Sequence, residues 1–186
     1  MPSVMPAAAP RRYTQTAIAL HWLLALALLG LLALGTTMTE LPLSPRRLQL
    51  YNWHKWAGMT VALLSLLRLA WRLTHRPPPH EGLPRWQARA ASVAHGLLYV
   101  LFFAVPLAGW VYSSAAGVPI VWFGVLPLPD LVAPDRVLAE AIRPLHGVLA
   151  YALAALVAVH VAAALKHHWL DDLGTLWRMS PWTPRA

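Results

Sequence analysis

The chain has 186 residues, of which 58% are hydrophobic, and its formal net charge at pH 7 is +8. With a mean hydropathy of +0.51, it is too apolar for an ordinary soluble domain, and its length predicts one domain over residues 1–186. The sequence has no cysteine, which excludes disulfides and thiolate metal sites. It also lacks a glycine-rich phosphate loop and a nucleophile-and-base constellation, so soluble enzyme chemistry is not predicted, and neither is nucleic-acid binding.

Four apolar runs are each long enough to cross a bilayer, which takes about 20 residues. They cover residues 15–37, 49–73, 89–112 and 140–165. Basic residues precede the first run, fill the connector between the second and third, and follow the fourth, and cytoplasmic segments carry such an excess. The sequence therefore predicts an all-α membrane protein, a four-helix bundle with both termini in the cytoplasm. The apolar, proline-rich stretch 117–134 is expected to pack over the outer mouth of the bundle.

Five histidines interrupt these runs, although an imidazole in hydrocarbon is costly. Counting from the charged edges puts three at one depth near the cytoplasmic face and two at one depth near the opposite face. The inner three are His21, His95 and His160, and the outer two are His54 and His146. A hydrogen bond to a neighbouring helix explains one such histidine, but five at two matched depths indicate ligands for a cofactor.

Two pairs of residues, each fourteen positions apart on one run, indicate which side of the helix faces the cofactors. His146 and His160 are fourteen positions apart on the fourth run, which is about 21 Å and nearly four helical turns, so they face the same side. Arg68 follows His54 at the same spacing on the second run. Planar cofactors stacked across a bilayer need such an arrangement, and neutral imidazole is a good axial ligand for haem iron. Depth alone pairs His54 with His146 but leaves three candidates for the inner pair.

A haem carries two propionates, and buried carboxylates need cationic partners. Arg68 and Arg72 lie at the inner depth and are predicted to serve an inner haem, whereas Arg143 and Lys55 lie beside the outer histidines. Arg68 and Arg72 also fit the simpler role of anchors that contact lipid phosphate. Two glycines beside the outer histidines leave room for a flat ring against the helix backbone: Gly58 and Gly147.

Several segments resemble the bacterial cytochrome b561 family. They are ALHW in the first run, WHKWAG opening the second, AHGLLY in the third, and LHGVLAYALAALVAVHVAAALKHHW followed by LWRMSP at the end. The resemblance covers nearly the whole chain and implies an inner-membrane protein that holds two haem b groups. It implies that His54 and His146 bind the outer haem and that His21 and His160 bind the inner one, with His95 as the alternative to His21.

The resemblance further implies electron transfer between a periplasmic donor and ubiquinone. We expect His95, His167 and Arg85 to hold the quinone, because its reduction needs a hydrogen-bond donor at the carbonyl and a supply of protons. Some similar proteins are superoxide oxidases, and cations at the outer mouth would attract the superoxide anion. These cations are Arg143, Lys55, Arg46 and Arg47.

Two other functions stay open at this point. The chain is alternatively a cytochrome b membrane anchor that passes electrons between a soluble dehydrogenase or hydrogenase subunit and quinone. A haem-free, histidine-lined transporter is the third option. It is the weakest, because all seven acidic residues fall outside the apolar cores, which leaves no carboxylate relay across the membrane.

Overall fold

The computed structural model describes residues 12–79 and 82–182. In this part of the chain the elements are α1 (Gln15–Glu40), α2 (Pro45–Thr74), α3 (Arg85–Ala115), β1 (Val121–Trp122), β2 (Leu126–Pro127), α4 (Arg136–Trp169) and α5 (Thr175–Met179). Helices α1 to α4 are long and apolar enough to cross a membrane, and each contains one of the predicted spans. The all-α four-helix fold is thus confirmed, whereas the orientation of the bundle in the membrane stays a prediction.

Local side-chain chemistry sets most of the helix ends. The side-chain oxygens of Thr14, Ser44 and Asp135 each accept a hydrogen bond from the backbone N–H group three residues ahead, and so cap α1, α2 and α4. α2 ends at Thr74, shortly before a run of prolines at 77–79 that cannot continue a helix. The helices extend a few residues beyond the predicted spans because polar residues at the membrane surface continue each helix past its apolar part.

The four long helices pack as neighbours in chain order: α1 against α2, α2 against α3, and α3 against α4. Leu28, Leu98 and Leu153 form the buried centre of the bundle. Many other leucines point outward, for example Leu26 and Leu29, whose exposed fractions are 66% and 60%. An apolar outer surface of this kind is what a bundle embedded in lipid requires.

The two ends of the bundle differ in what covers them, and we name them accordingly. The termini side is the end where α1 begins and α4 ends, and the loop side is the opposite end. On the termini side the segment 170–182 folds across the bundle, because Trp22 donates its indole N–H to the carbonyl of Met179 at 2.8 Å. The backbone N–H of Tyr13 donates to the carbonyl of Arg178 at 3.2 Å. These bonds fix α5 against the start of α1.

On the loop side the predicted outer loop does pack over the bundle, and it contains a hairpin that the sequence did not predict. Phe123 and Gly124, with φ of 52° and 74°, make the tight turn between β1 and β2. The indole of Trp56 donates to the carbonyl of Val121 at 2.6 Å. The indole of Trp122 in turn donates to the carbonyl of Trp56 at 3.2 Å. The hairpin is therefore tied directly to α2.

Candidate functional site

The two loop-side histidines face each other across the bundle. The ring centroids of His54 on α2 and His146 on α4 are 6.2 Å apart, and their planes are nearly perpendicular. Nδ1 of His146 donates to the carbonyl of Val105 at 3.0 Å. This bond places the proton on Nδ1, which leaves the lone pair of Nε2 available to a metal. Nδ1 of His54 is buried and has no hydrogen-bond partner among the described residues.

A cavity of about 270 Å³ lies between the long helices beside this pair and is lined by both histidines. Gly58 and Gly147 also line it, and a Cβ added to either would meet nothing within 4 Å. Gly35 and Gly109 play a different part that the sequence did not reveal. A Cβ would come within 3.2 Å of the His54 ring at Gly35 and within 3.1 Å of the His146 ring at Gly109. Glycine at these two positions thus allows the histidine rings to lie against a neighbouring helix.

The three termini-side histidines also meet, as their common depth predicts. The ring centroid of His160 on α4 lies 6.3 Å from that of His21 on α1 and 5.4 Å from that of His95 on α3. All three side chains are partly buried. Three helices therefore converge on one point near the termini side, just as α2 and α4 converge near the loop side.

One face of α2 connects the two depths. His54, Gly58, Val61, Ser65 and Arg68 follow each other at helical spacing, and Ser65 is fully buried. The Ser65 hydroxyl has no hydrogen-bond partner in the described part of the chain. His54, Gly58 and Arg68 were predicted from the sequence to face the cofactors, whereas Val61 and Ser65 were not. Ser65 was missed because one hydroxyl in an apolar run carries little signal until the buried side of the helix is known.

The cationic residues predicted near the cofactors occupy distinct environments. Arg68 donates to the carbonyl of Ala17 at 3.4 Å, and the Arg72 guanidinium lies 5.8 Å from the centre of the Tyr99 ring. Both therefore lie on the bundle side of α2, near the termini-side histidines. Arg143 lines the loop-side cavity.

Lys55 has a contact set that the sequence did not predict. Its ammonium donates to the hydroxyl of Ser113 at 3.3 Å and to the carbonyls of Val118 and Pro119 at 3.3 and 3.5 Å. These bonds tie the outer loop to α2. The side chain therefore has a structural role at the loop side, whatever charge it also contributes there.

The predicted quinone residues lie at different depths. Arg85 is the first residue of α3 and is exposed, whereas His95 lies ten residues further along that helix, about 15 Å deeper. His167 is near the end of α4, and only 16% of its side chain is exposed. The structure thus brings His95 to the other buried histidines but leaves Arg85 at the surface.

His167 belongs to a polar cluster that sequence reasoning missed. Its Nδ1 donates to a carboxylate oxygen of Asp171 at 2.6 Å, and the Lys166 ammonium donates to the same carboxylate at 2.6 and 2.9 Å. The bond from Lys166, followed by that from His167, holds the pKa of Asp171 below its usual range. Asp171 is therefore ionised at neutral pH and fixes the tautomer of His167.

Comparison with known proteins places these residues in a family. The sequence model described as prokaryotic cytochrome b561 matches residues 12–182. The chain is 34% identical over 178 residues to "Cytochrome b561 homolog 2" of Escherichia coli (strain K12), an alignment that covers 91% of this chain and 92% of the relative. It is 33% identical over 184 residues to "Cytochrome b561 homolog 1" of the same organism, covering 91% and 97%.

A further relative carries an activity in its name. The chain is 28% identical over 177 residues to "Probable superoxide oxidase CybB" of Yersinia pestis, and the alignment covers 92% of this chain and 97% of the relative. The family match spans nearly all of the described chain and includes both groups of histidines. The chain therefore belongs to the prokaryotic cytochrome b561 family, and this membership implies a multi-pass membrane protein that binds haem b and takes part in transmembrane electron transfer.

Proposed function

We propose that the chain carries electrons from superoxide on the loop side to ubiquinone on the termini side of the bacterial inner membrane, as a single membrane domain over residues 1–186. In this proposal four histidines hold two haem b groups at two depths. The observation that carries it is the pair of ring separations, 6.2 Å between His54 and His146 and 6.3 Å between His21 and His160. The Yersinia pestis relative named as a probable superoxide oxidase supports the choice of donor.

The ring separations would leave room for one metal ion to be held between the two imidazoles of each pair. A metal–imidazole bond is about 2 Å long, and a ring centroid lies about 1 Å behind its nitrogen, so the two centroids should be about 6 Å apart. His54 with His146 and His21 with His160 both meet this requirement. The His95–His160 separation of 5.4 Å is shorter. This difference supports His21, with His160, as the ligand pair on the termini side.

The residues around the loop-side pair also fit a haem. The cavity between the histidines, the open space beside Gly58 and Gly147, and the buried, unbonded Nδ1 of His54 all belong to one region. Arg143 lines this cavity and is proposed to neutralise a propionate. On the termini side Arg68 and Arg72 are proposed for the same task, while Lys55 of α2 adds its positive charge near the loop-side pair.

When bound, the haems supply one-electron oxidation and reduction between the two faces of the membrane. The chain itself provides the ligands, holds the two sites apart in depth and excludes water from between them. At the loop-side mouth its positive charges favour the approach of an anion. They come from Arg143, Arg46 and Arg47, of which Arg47 is held by a 3.3 Å bond to the hydroxyl of Tyr51.

The proposed reaction consumes protons on one side only. Two superoxide anions lose one electron each and become two dioxygen molecules, while one ubiquinone takes up both electrons and two protons to form ubiquinol. The protons must come from groups near the quinone. We propose that His95, at the depth of the buried histidines, and His167, nearer the surface, are the hydrogen-bond donors available to a quinone on the termini side, with Arg85 at the surface where the quinone enters. Asp171 accepts a hydrogen bond from His167 and keeps its ring oriented, and solvent at the membrane surface replaces each proton that His167 gives up.

The first test is rapid mixing of the purified protein with superoxide. We expect the haem absorbance to report reduction faster than in a buffer control, and one ubiquinol to form for every two superoxide anions consumed. Absence of haem reduction beyond the control would remove superoxide as the donor. Reduction only by a soluble subunit that copurifies would favour the membrane-anchor role instead.

The choice between His21 and His95 is tested by alanine at each position. We expect the His21→Ala protein to lose one of two haems, because an axial bond is removed, and the His95→Ala protein to keep both. Pyridine haemochrome quantitation per chain measures this, and electron paramagnetic resonance shows whether the low-spin signal of a bis-histidine haem survives. The reverse pattern would assign the ligand to His95.

The contact between Gly109 and His146 gives a prediction with a matched control. We expect Gly109→Val to displace the His146 ring from its position facing His54, because the added Cβ would lie 3.1 Å from the ring. The content of the loop-side haem should therefore fall. Gly30→Val is the control, since a Cβ there would meet nothing within 4 Å. Equal haem content in both variants, with helicity by circular dichroism unchanged, would contradict the role of Gly109.

The Asp171 cluster is tested by exchanging neighbouring carboxylates for amides. We expect Asp171→Asn to slow quinone reduction by about tenfold, because His167 loses the anion that orients it, and to leave reduction of the haems by superoxide unchanged. Asp172→Asn removes the same charge one position away and should have little effect. Equal rates of quinol formation in the two variants would show that the cluster takes no part in proton supply.

A further inference from the structure

A second and larger cavity, of about 580 Å³, opens on the termini side of the bundle. The start of α1, the end of α2, Tyr99 of α3 and Met179 line it, and its volume is in the range of small-molecule sites. Its described lining contains no aspartate or glutamate. It does contain four arginines: Arg12, Arg68, Arg72 and Arg76.

Four guanidinium groups in one cavity need negative charge. Arginine has no neutral form in proteins, and like charges gathered in a partly enclosed site repel each other unless an anion lies between them. Two propionates of a termini-side haem would neutralise Arg68 and Arg72 at most. Arg12 and Arg76 would still have no counter-charge in the described lining, and without a haem that lining would offer none to any of the four arginines.

Hydrogen bonds to the chain hold the Arg12 side chain in a position where it could bind an anion. Its Nη2 donates to the carbonyl of Ser180 at 2.5 Å, which fixes the side chain against the C-terminal segment. Its Nε is buried and has no hydrogen-bond partner among the described residues, although a buried N–H group of a charged side chain is costly to leave unbonded. A donor that is oriented but not used by any described residue is available to an acceptor from outside the chain.

Ring stacking and a hydrogen bond join another part of the cavity wall. The rings of Trp71 and His75 are stacked, with centroids 3.8 Å apart and planes within 6°. The indole N–H of Trp71 donates to the hydroxyl of Thr14 at 2.8 Å, which joins the end of α2 to the start of α1. The cavity is therefore bounded by two helix ends tied to each other.

The depth of the cavity matches that of lipid headgroups. α1 has 26 residues and α2 has 30, so they are about 39 and 45 Å long, longer than the hydrocarbon core of about 30 Å. Arg12 and Arg76, which lie just beyond the start of α1 and the end of α2, are therefore at the level of the phosphates at the membrane surface. Basic pockets between helices at this level bind anionic lipid headgroups.

We propose that Arg12 and Arg76 bind the phosphate of an anionic phospholipid, a phosphatidylglycerol-type headgroup, in the termini-side leaflet. Nε of Arg12 donates to a phosphate oxygen, and Arg76, which is exposed at the rim, closes over the headgroup. Inorganic phosphate offers the same oxygens but no acyl chains in the neighbouring leaflet. The lipid is the occupant that fits a site facing the bilayer surface.

The experiment uses the purified, haem-loaded protein in mild detergent after removal of copurified lipid. Phosphatidylglycerol, phosphatidylcholine and inorganic phosphate are added separately at equal concentration, and bound molecules per chain are counted by native mass spectrometry. We expect phosphatidylglycerol to bind tightly. The double variant Arg12→Gln/Arg76→Gln should bind it about tenfold more weakly or worse, and Arg76→Gln alone about fivefold more weakly.

Arg136→Gln is the matched control, because Arg136 is an exposed arginine at the loop-side start of α4, paired with Glu140 at 2.8 Å. It should bind phosphatidylglycerol as the unmodified chain does. Equal binding by the double variant, or equal binding of phosphatidylcholine, would overturn the proposal. So would equal occupancy by inorganic phosphate, since the site would then hold a free anion. Loss of haem from the double variant would also overturn it, because the cavity would then belong to the haem site.

Discussion

An imidazole is costly in hydrocarbon unless it turns inward and finds a partner, and most of this structure depends on five of them. His54 and His146 meet at one depth, and His21 and His95 both lie against His160 at another. Each long helix contributes at least one ring, so the helices must pack with those faces together. In lipid there is little hydrophobic drive for helices to associate, and shared polar sites therefore help to determine which faces meet.

Small residues decide how closely the rings can approach a neighbouring helix. Gly35 lies against His54 and Gly109 against His146, so the imidazoles are positioned by backbone on one side. On the other side Gly58 and Gly147 border open space in the same cavity. The two loop-side rings are thus held by the neighbouring helices at Gly35 and Gly109, and the space beside Gly58 and Gly147 stays open to a flat ligand. This asymmetry is what a prosthetic group between helices requires.

The two ends of the bundle use charge in different ways. On the loop side Lys55 binds the outer loop, and Trp56 and Trp122 fasten the hairpin, so that end is covered by protein. On the termini side four arginines surround a cavity, and Asp171 sits between Lys166 and His167. Both of our proposals for this end, a bound lipid phosphate and a proton supply to quinone, depend on these charges. The lipid-phosphate and quinone proposals concern neighbouring but distinct groups of residues at that end.

The sequence alone established the four helices, through the length of each apolar run and the basic residues that flank it. It also established the two depths of the histidines, through the number of residues between each histidine and the nearest charged edge. Both were predictable because helix rise is constant and these signals are local in sequence. Only the tertiary structure gave the distances from His160 to His21 and to His95, the contacts of Gly35 and Gly109, the binding of Lys55 to the outer loop and the contact of Asp171 with His167. These features depend on how each helix is rotated and how its neighbours close on it. That rotation is settled by contacts between residues far apart in the chain, which no local pattern contains.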